Sequence, residues 1–308
     1  MKHTRIIAAV FCGLLLLSAT SRAQNLYVGS NAANVTTNFT SGTNIFGITY
    51  IGYSTNLTLI DPTNNVLNVS GAGTVLSNSS FLHVGLNGSG NRLVVSNDGQ
   101  VYCQNGVLGW TENAGNNSAL VTGTNSKWTV GGDLTLGGRA SEISIAPDGN
   151  SLVVSNGGQV VIVGALRIGV FSRSNSVLVT GSGSSVQGSV IMGGFATSLR
   201  NNSLVISNGG RVSGGYGYIG NWSSNSTALV TGTNSVWTNS GNLYVGYDSL
   251  GKGNRLVISN GATVANAEGI VGGGAISTNS AVQIASGASL RLDGYYAPAD
   301  TKGELAGR

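Results

Sequence analysis

Acid–base, nucleophilic and metal chemistry all need particular side chains, and here they are scarce. The 308 residues contain two histidines, His3 and His83, and two cysteines, Cys12 and Cys103. His83 lies in Phe81-Leu82-His83-Val84-Gly85, where Leu243-Tyr244-Val245-Gly246 has Tyr244. That equivalence marks a variable, outward strand position. A Ser-His-Asp triad needs an imidazole held by a carboxylate and facing a hydroxyl, and a His-based metal site needs further ligands. The sequence indicates neither around His83. The carboxylates Asp61, Asp98, Glu112, Asp133, Glu142, Asp148, Asp248, Glu268, Asp293, Asp300 and Glu304 never recur as a pair at one fixed position. Glycoside hydrolysis needs two facing carboxyl groups, and β-helical polysaccharide lyases generally need an acidic calcium-binding cluster with a basic residue. The local candidate for such a site is Glu142 with Asp148, sharing Gly138 to Gly149 with Arg139; the same stretch also reads as a solvated loop.

Other chemistries fare no better. Gly272-Gly273-Gly274 is not followed by Lys-Ser/Thr, so it is a turn rather than a phosphate cradle. Trp128 and Trp237 end equivalent strands and suit core packing; Trp110 and Trp222 lie outside that motif and are candidates for an exposed, carbohydrate-binding ring. Cys103 is expected to act as a small buried hydrophobe. No catalytic, cofactor-binding or metal-binding residue is expected, and no cofactor.

The N-terminus has the pattern of an export signal. Lys2 and Arg5 precede an apolar run from Ile6 to Leu17, and Ser21-Arg22-Ala23 supplies small residues before a cleavage point at Gln24. The run is shorter than the roughly 20 residues a membrane span needs. Removing it takes three of the 15 basic residues away and leaves 12 against 11 acidic ones. The mature chain is therefore nearly neutral, which argues against a nucleic-acid partner. One cysteine then remains, so an intrachain disulfide is excluded.

Composition explains what replaces chemistry. Gly accounts for 49 residues, charged residues for 8% and hydrophobic residues for 41%. Such a chain makes short strands joined by tight turns. Those strands repeat. Asn-x-Leu-Val-Val/Ile-Ser-Asn occurs at Asn91 to Asn97, Asn150 to Asn156, Asn202 to Asn208 and Asn254 to Asn260. A sister motif alternates with it at Ala119 to Gly123, Val177 to Gly181 and Ala228 to Gly232, with an earlier copy at Leu67 to Gly71. A third marker is an apolar residue followed by Gly, at Gly29, Gly52, Gly85, Gly109, Gly137, Gly169, Gly193, Gly220, Gly246 and Gly272. Its nine intervals average 27 residues, and the two long ones carry extra residues in Ser54 to Asn65 and Gly138 to Gly149.

A chain that turns every few residues and repeats at this interval can coil so that each strand lies over its equivalent one rung earlier. The expected fold is all-β: a parallel β-helix, or β-solenoid, of about ten rungs. One rung buries too little to offset its own ordering entropy, so the rungs stabilise each other along one continuous core. A propeller of four-stranded blades fits the double unit in length, but the likeness of its two halves favours one rung per half. Leu152, Val154, Leu204, Ile206, Leu256 and Ile258 are expected inside, with Val153, Val205 and Val257 facing out. Asn65, Asn91, Asn117, Asn150, Asn175, Asn202, Asn225, Asn254 and Asn279 are expected to stack as a turn-forming column.

Val121 to Thr129, Val230 to Thr238, Asn242 to Gly246 and Leu204 to Gly210 resemble the autotransporter-associated β-strand repeats of bacterial passenger domains. The resemblance covers most of residues 64 to 292. It implies a right-handed β-helix displayed on or released from a bacterial surface, adhesive or structural, and it carries over no catalytic residue. Two departures stand out: Val186 replaces the tryptophan of the motif, and the 16 residues after Leu292 are too few for the many-stranded outer-membrane translocator expected of such passengers, so the chain is expected to be a fragment or to use another export route. The expected organisation is a signal peptide at 1–23, a β-helix at 24–292 and a polar tail at 293–308. The expected function is a secreted or surface-displayed structural and adhesive solenoid without catalysis. Surface glycans or other cell-surface components would be its partners, and a separate translocator or anchor its only link to a membrane. The alternative is a carbohydrate-active β-helix of polysaccharide-lyase or glycosidase type.

Overall fold

A computed structural model describes residues 23–55, 62–138, 148–194, 199–247, 251–272, 279–292 and 304–307. Most of the expected leader, the cores of both insertions (with Arg139 and Glu142) and most of the expected tail lie outside the described residues. Among the described residues every strand is parallel to its neighbours and no helix occurs. The described residues form a β-solenoid with nine complete turns, preceded and followed by partial ones. Each turn has three sides. In one turn these are Ser203–Ser207, Arg211–Gly214 and Gly217–Asn221. First-side strands stack into an 11-stranded sheet, and the other two sides form an 18-stranded one. Glu304–Gly307 adds a further first-side strand beside Ala281–Ile284.

The first side obeys strand periodicity. Leu152, Val154, Leu204, Ile206, Leu256 and Ile258 are fully buried, and Val153, Val205 and Val257 between them are half-buried on the outer face. The turn that follows explains why the sequence repeats every two rungs. Ser-Asn-Gly-Gly at Ser155 to Gly158 closes with Gly158 N–H donating to Ser155 O at 2.9 Å, with Asn156 and Gly157 both at positive φ. That is a type I′ turn. The sister turn, Gly123 to Ser126, closes with Ser126 N–H to Gly123 O at 3.1 Å and has positive φ at Asn125 in its third place, a type II turn. The two kinds alternate and interlock. Ser155 and Asn156 donate to the Thr122 hydroxyl below, and Gly157 N–H donates to the Ser184 hydroxyl above. Ser207, Asn208 and Gly209 repeat this with Thr180 and Ser235.

Core volume alternates with the turns. Trp128 shares a turn with Ala119, and Trp237 with Ala228; all four are buried. Glycine of the preceding turn makes further room: a Cβ on Gly106 would stand 2.8 Å from the Trp128 ring, and one on Gly217 2.9 Å from Trp237. Where Val186 replaces the tryptophan, its turn carries Val177 instead of alanine, and the preceding turn carries Leu166. The departure from the motif is thus a volume-conserving exchange. Cys103 is buried and accepts a 3.3 Å hydrogen bond from Trp128 Nε1; burial pushes its thiol up to about 12, so it stays protonated.

The asparagine column exists and is internal. Asn65 N–H donates to Asn91 Oδ1, Asn91 to Asn117, Asn117 to Asn150, Asn150 to Asn175 and Asn175 to Asn202, at 2.8–3.1 Å. All six residues are buried. Each of these side chains therefore satisfies the backbone of the turn before it, and none is presented as a binding ladder. Two members differ from expectation. Asn225 and Asn279 are exposed and at positive φ, and the column place falls to Ser226 and Ser280. The physical reason is the residue before the column, which is left-handed in turn after turn, as at Asn64, Gly90, Asn116, Gly149 and Gly253. Asn and Gly tolerate that conformation best, so the asparagine of Asn225-Ser226 and of Asn279-Ser280 occupies that place.

Candidate functional site

No grouping of three or more His, Cys, Asp or Glu exists among the described residues. Asp148 caps backbone, its Oδ1 accepting Arg173 N–H at 2.7 Å. Asp133 accepts from Ala165 N–H at 2.8 Å and from Arg167 Nε at 2.7 Å, bracing the irregular stretch between Val161 and Ala165. Both partners of that pair are about a third exposed, where an ion pair contributes little. These carboxylates hold the coil; they do not converge.

The third side does collect aromatic groups. Its outward file, read through the strand register, is Tyr27, Tyr50, His83, Val107, Thr135, Arg167, Ile191, Tyr218, Tyr244 and Ile270. Every member sits two residues before a marker glycine, where the backbone turns with φ between 68° and 105°. Alignment on those glycines is the sequence signal that would have found the file; only its Tyr244–His83 equivalence was legible without it.

Aromatic rings cluster at both ends of the file. Near the start, Tyr27 stacks on Tyr50 at 5.1 Å, with Tyr53 beside both. Tyr50 stacks on His83 at 5.3 Å, Phe81 at 5.2 Å lies against the imidazole, and Trp110 meets it edge-on at 5.5 Å. His83 faces outward in register with Tyr50, as expected, but these rings leave it only 6% exposed. Burial lowers its pKa to about 4, and Nδ1 has no hydrogen-bond partner. It is a neutral packing element. Trp110 is taken up in this packing, whereas Trp222 is 40% exposed.

The second cluster is open. Tyr218 and Tyr244 stack at 4.6 Å, and Tyr247 stands across both at 79° and 70°. Tyr216 and Tyr247 are 53% and 43% exposed. Asn242 Nδ2 donates to the Tyr244 hydroxyl and to Glu268 Oε2, both at 3.0 Å. Burial, and then the neighbouring phenols, raise the Tyr218 pKa, so the ring remains a neutral hydrogen-bonding phenol. Rings edged by an amide and a carboxylate present apolar surface beside hydrogen-bonding groups, a chemistry that suits ligand binding.

No family model matches the chain, and no curated protein matches its sequence. Among solved structures it is similar to the TibC-catalysed hyper-glycosylated TibA fragment, at 15% identity over 94% of this chain and 96% of that one, with a TM-score of 0.35. The likeness is coarse, and no residue is transferable between the two. No helix among the described residues is long and apolar enough to cross a membrane, which says nothing of β-barrels.

The buried imidazole gives a direct test of this packing. The unfolded chain takes up a proton near the ordinary value of about 6.5, while folded His83 resists until about 4. The unfolded state thus binds more protons across that window. Stability is full above pH 6.5 and falls as the pH drops towards 4, by up to about 3 kcal/mol. His83→Phe is expected to remove this component of the pH dependence. Urea unfolding of both chains at pH 7, 5.5 and 4 checks it; identical slopes would show that His83 is solvated.

Proposed function

We propose that this chain is a secreted or cell-surface structural and adhesive solenoid, without catalytic activity, that holds glycans on the open tyrosine cluster of its third side. The observation that supports this most is the contrast between two arrangements. Among the described residues the imidazole and thiol are buried and Asp133 and Asp148 hold backbone, whereas Tyr216, Tyr218, Tyr244 and Tyr247 stand together on the outer surface with Asn242 and Glu268 beside them. Catalysis requires convergent groups of matched pKa. Sugar recognition is well served by apolar rings with hydrogen-bond donors and acceptors at their edges. The export pattern at Lys2 to Ala23 and the repeat resemblance agree with a role outside the cell.

The test is a screen of the chain from residue 24 onwards against neutral and acidic polysaccharides, for binding and for turnover. Binding is expected without turnover, and Tyr218→Ala with Tyr247→Ala should weaken it at least roughly tenfold. Asp148→Asn and Glu142→Gln are expected to leave binding unchanged. Turnover abolished by either carboxamide variant would replace this reading with the carbohydrate-active one.

A further inference from the structure

The outer face of the first side carries a feature that a glycan-binding scaffold does not need. Its central file, in strict register, is Val94, Leu120, Val153, Leu178, Val205, Leu229 and Val257. Seven aliphatic side chains, alternating Val and Leu, form one outward stripe, and all seven are half-buried. Asn38 and Asn68 continue the file at one end and Gln283 at the other. On one flank, from Thr122 to Ser259, runs a row of hydroxyls. On the other flank Ser118, Ser151, Ser176, Ser203 and Thr227 lie between Arg92 and Arg255. The outward positions of these seven strands include no carboxylate.

We propose that this face binds a second copy of the chain, through an antiparallel two-fold pairing of the stripes. Three observations carry it. The stripe is contiguous, apolar and rimmed by polar residues, as interaction surfaces are. At a rung spacing of ~4.8 Å it is about 29 Å long, and the five-residue strands make the face about 15 Å wide. Face-to-face contact would therefore bury on the order of 1,000 Å² in all, at the lower end for a specific, reversible pair. The alternation is also self-complementary. A two-fold axis between neighbouring rungs sets each Leu against a Val of the partner copy, so that large side chains meet small ones. An axis on the Leu178 rung would instead oppose Leu to Leu and bring Arg92 onto Arg255. The offset pairing avoids both, and the isologous geometry closes at two copies.

The alternation has a second origin that keeps it regular. Where the outward residue is Val, the inward partners are larger, as Leu204 and Ile206 around Val205; where it is Leu, they are smaller, as Ala228 and Val230 around Leu229. Core packing and outer stripe are thus set by the same two-rung repeat.

Sedimentation velocity of the chain from residue 24 onwards, across a concentration series, is the test. Dimer is expected to accumulate in the micromolar to submillimolar range. Leu178→Lys with Leu229→Lys should shift the dissociation constant by at least roughly a hundredfold, with circular dichroism unchanged. Leu178→Thr with Leu229→Thr keeps strand-forming residues in case the lysines impair folding, and should weaken the dimer in the same direction. Tyr218→Ala with Tyr247→Ala should dimerise as wild type, which separates this face from the tyrosine cluster. A wild-type chain monomeric throughout, or folded stripe variants that dimerise unchanged, would overturn the proposal.

Discussion

Leu204→Ala is expected to lower the unfolding free energy by about 2–5 kcal/mol, in the upper part of that range. Leu204 is fully buried, and its register neighbours on the adjacent rungs are Val177 and Ala228. Both are smaller than leucine, so neither can reach into the space the substitution leaves. The cavity therefore persists, and its lining loses dispersion contacts as well as transfer energy. Val205→Ala, one residue along and on the outer face, should cost about 1 kcal/mol or less, because solvent already touches that side chain. Guanidinium unfolding with an unchanged m-value measures both. Since rungs share one core, the loss should lower the midpoint of the whole stack rather than melt one turn. A near-neutral result for Leu204→Ala would mean that the inward and outward sets have been exchanged.

The architecture was legible because a solenoid writes each structural constraint once per rung. Period-2 alternation in Leu204-Val205-Ile206 assigns inside and outside, and Asn-Gly marks the turn after it. The ten marker glycines gave the interval, and each of them proves to be at positive φ. What stayed illegible depends on contacts between rungs rather than on pattern within one. Asn225 looked like a column residue because it is an asparagine at nearly the right place, yet only the left-handed backbone requirement separates it from Ser226. The Val186 exchange likewise needs knowledge that Val177 and Leu166 surround its place.

The candidate site was less legible than the fold. Sequence offers Trp110 and Trp222 as candidate sugar-binding rings, of which only Trp222 is exposed, and the open cluster is instead made of tyrosines gathered from turns 26 residues apart, as Tyr218 and Tyr244. A single tyrosine on a strand carries little signal; two in register make a surface. His83 shows the converse. Its direction followed from sequence, while its burial arises from Phe81, Tyr50 and Trp110, of which only Phe81 is a near neighbour in the chain.

The marker glycines yield the other large effect. Gly220→Ala is expected to destabilise the solenoid by about 2–5 kcal/mol, through two causes that can be separated. Gly220 has φ +83°, where an L side chain costs about 1–2 kcal/mol. A Cβ there would also overlap the amide of Asn254 on the next rung. That amide cannot swing away: its Oδ1 accepts Ser226 N–H and its Nδ2 donates to Ser223 O, both at 2.9 Å. Forcing the two apart costs about 1–3 kcal/mol more. The same arrangement recurs at Gly52 with Asn91, Gly85 with Asn117 and Gly169 with Asn202, so the glycine marker and the asparagine column form one interlocking device. Asn254→Ser should remove the overlap, since Ser226 and Ser280 already occupy that column place, while depriving Ser226 N–H of its acceptor. The double variant is therefore expected to be more stable than the sum of the two single losses predicts, by about 1–3 kcal/mol, the backbone strain alone surviving at Gly220. Equilibrium unfolding of the four chains measures the coupling. Strict additivity would show that φ strain accounts for the whole effect and that the amide does not lock the corner.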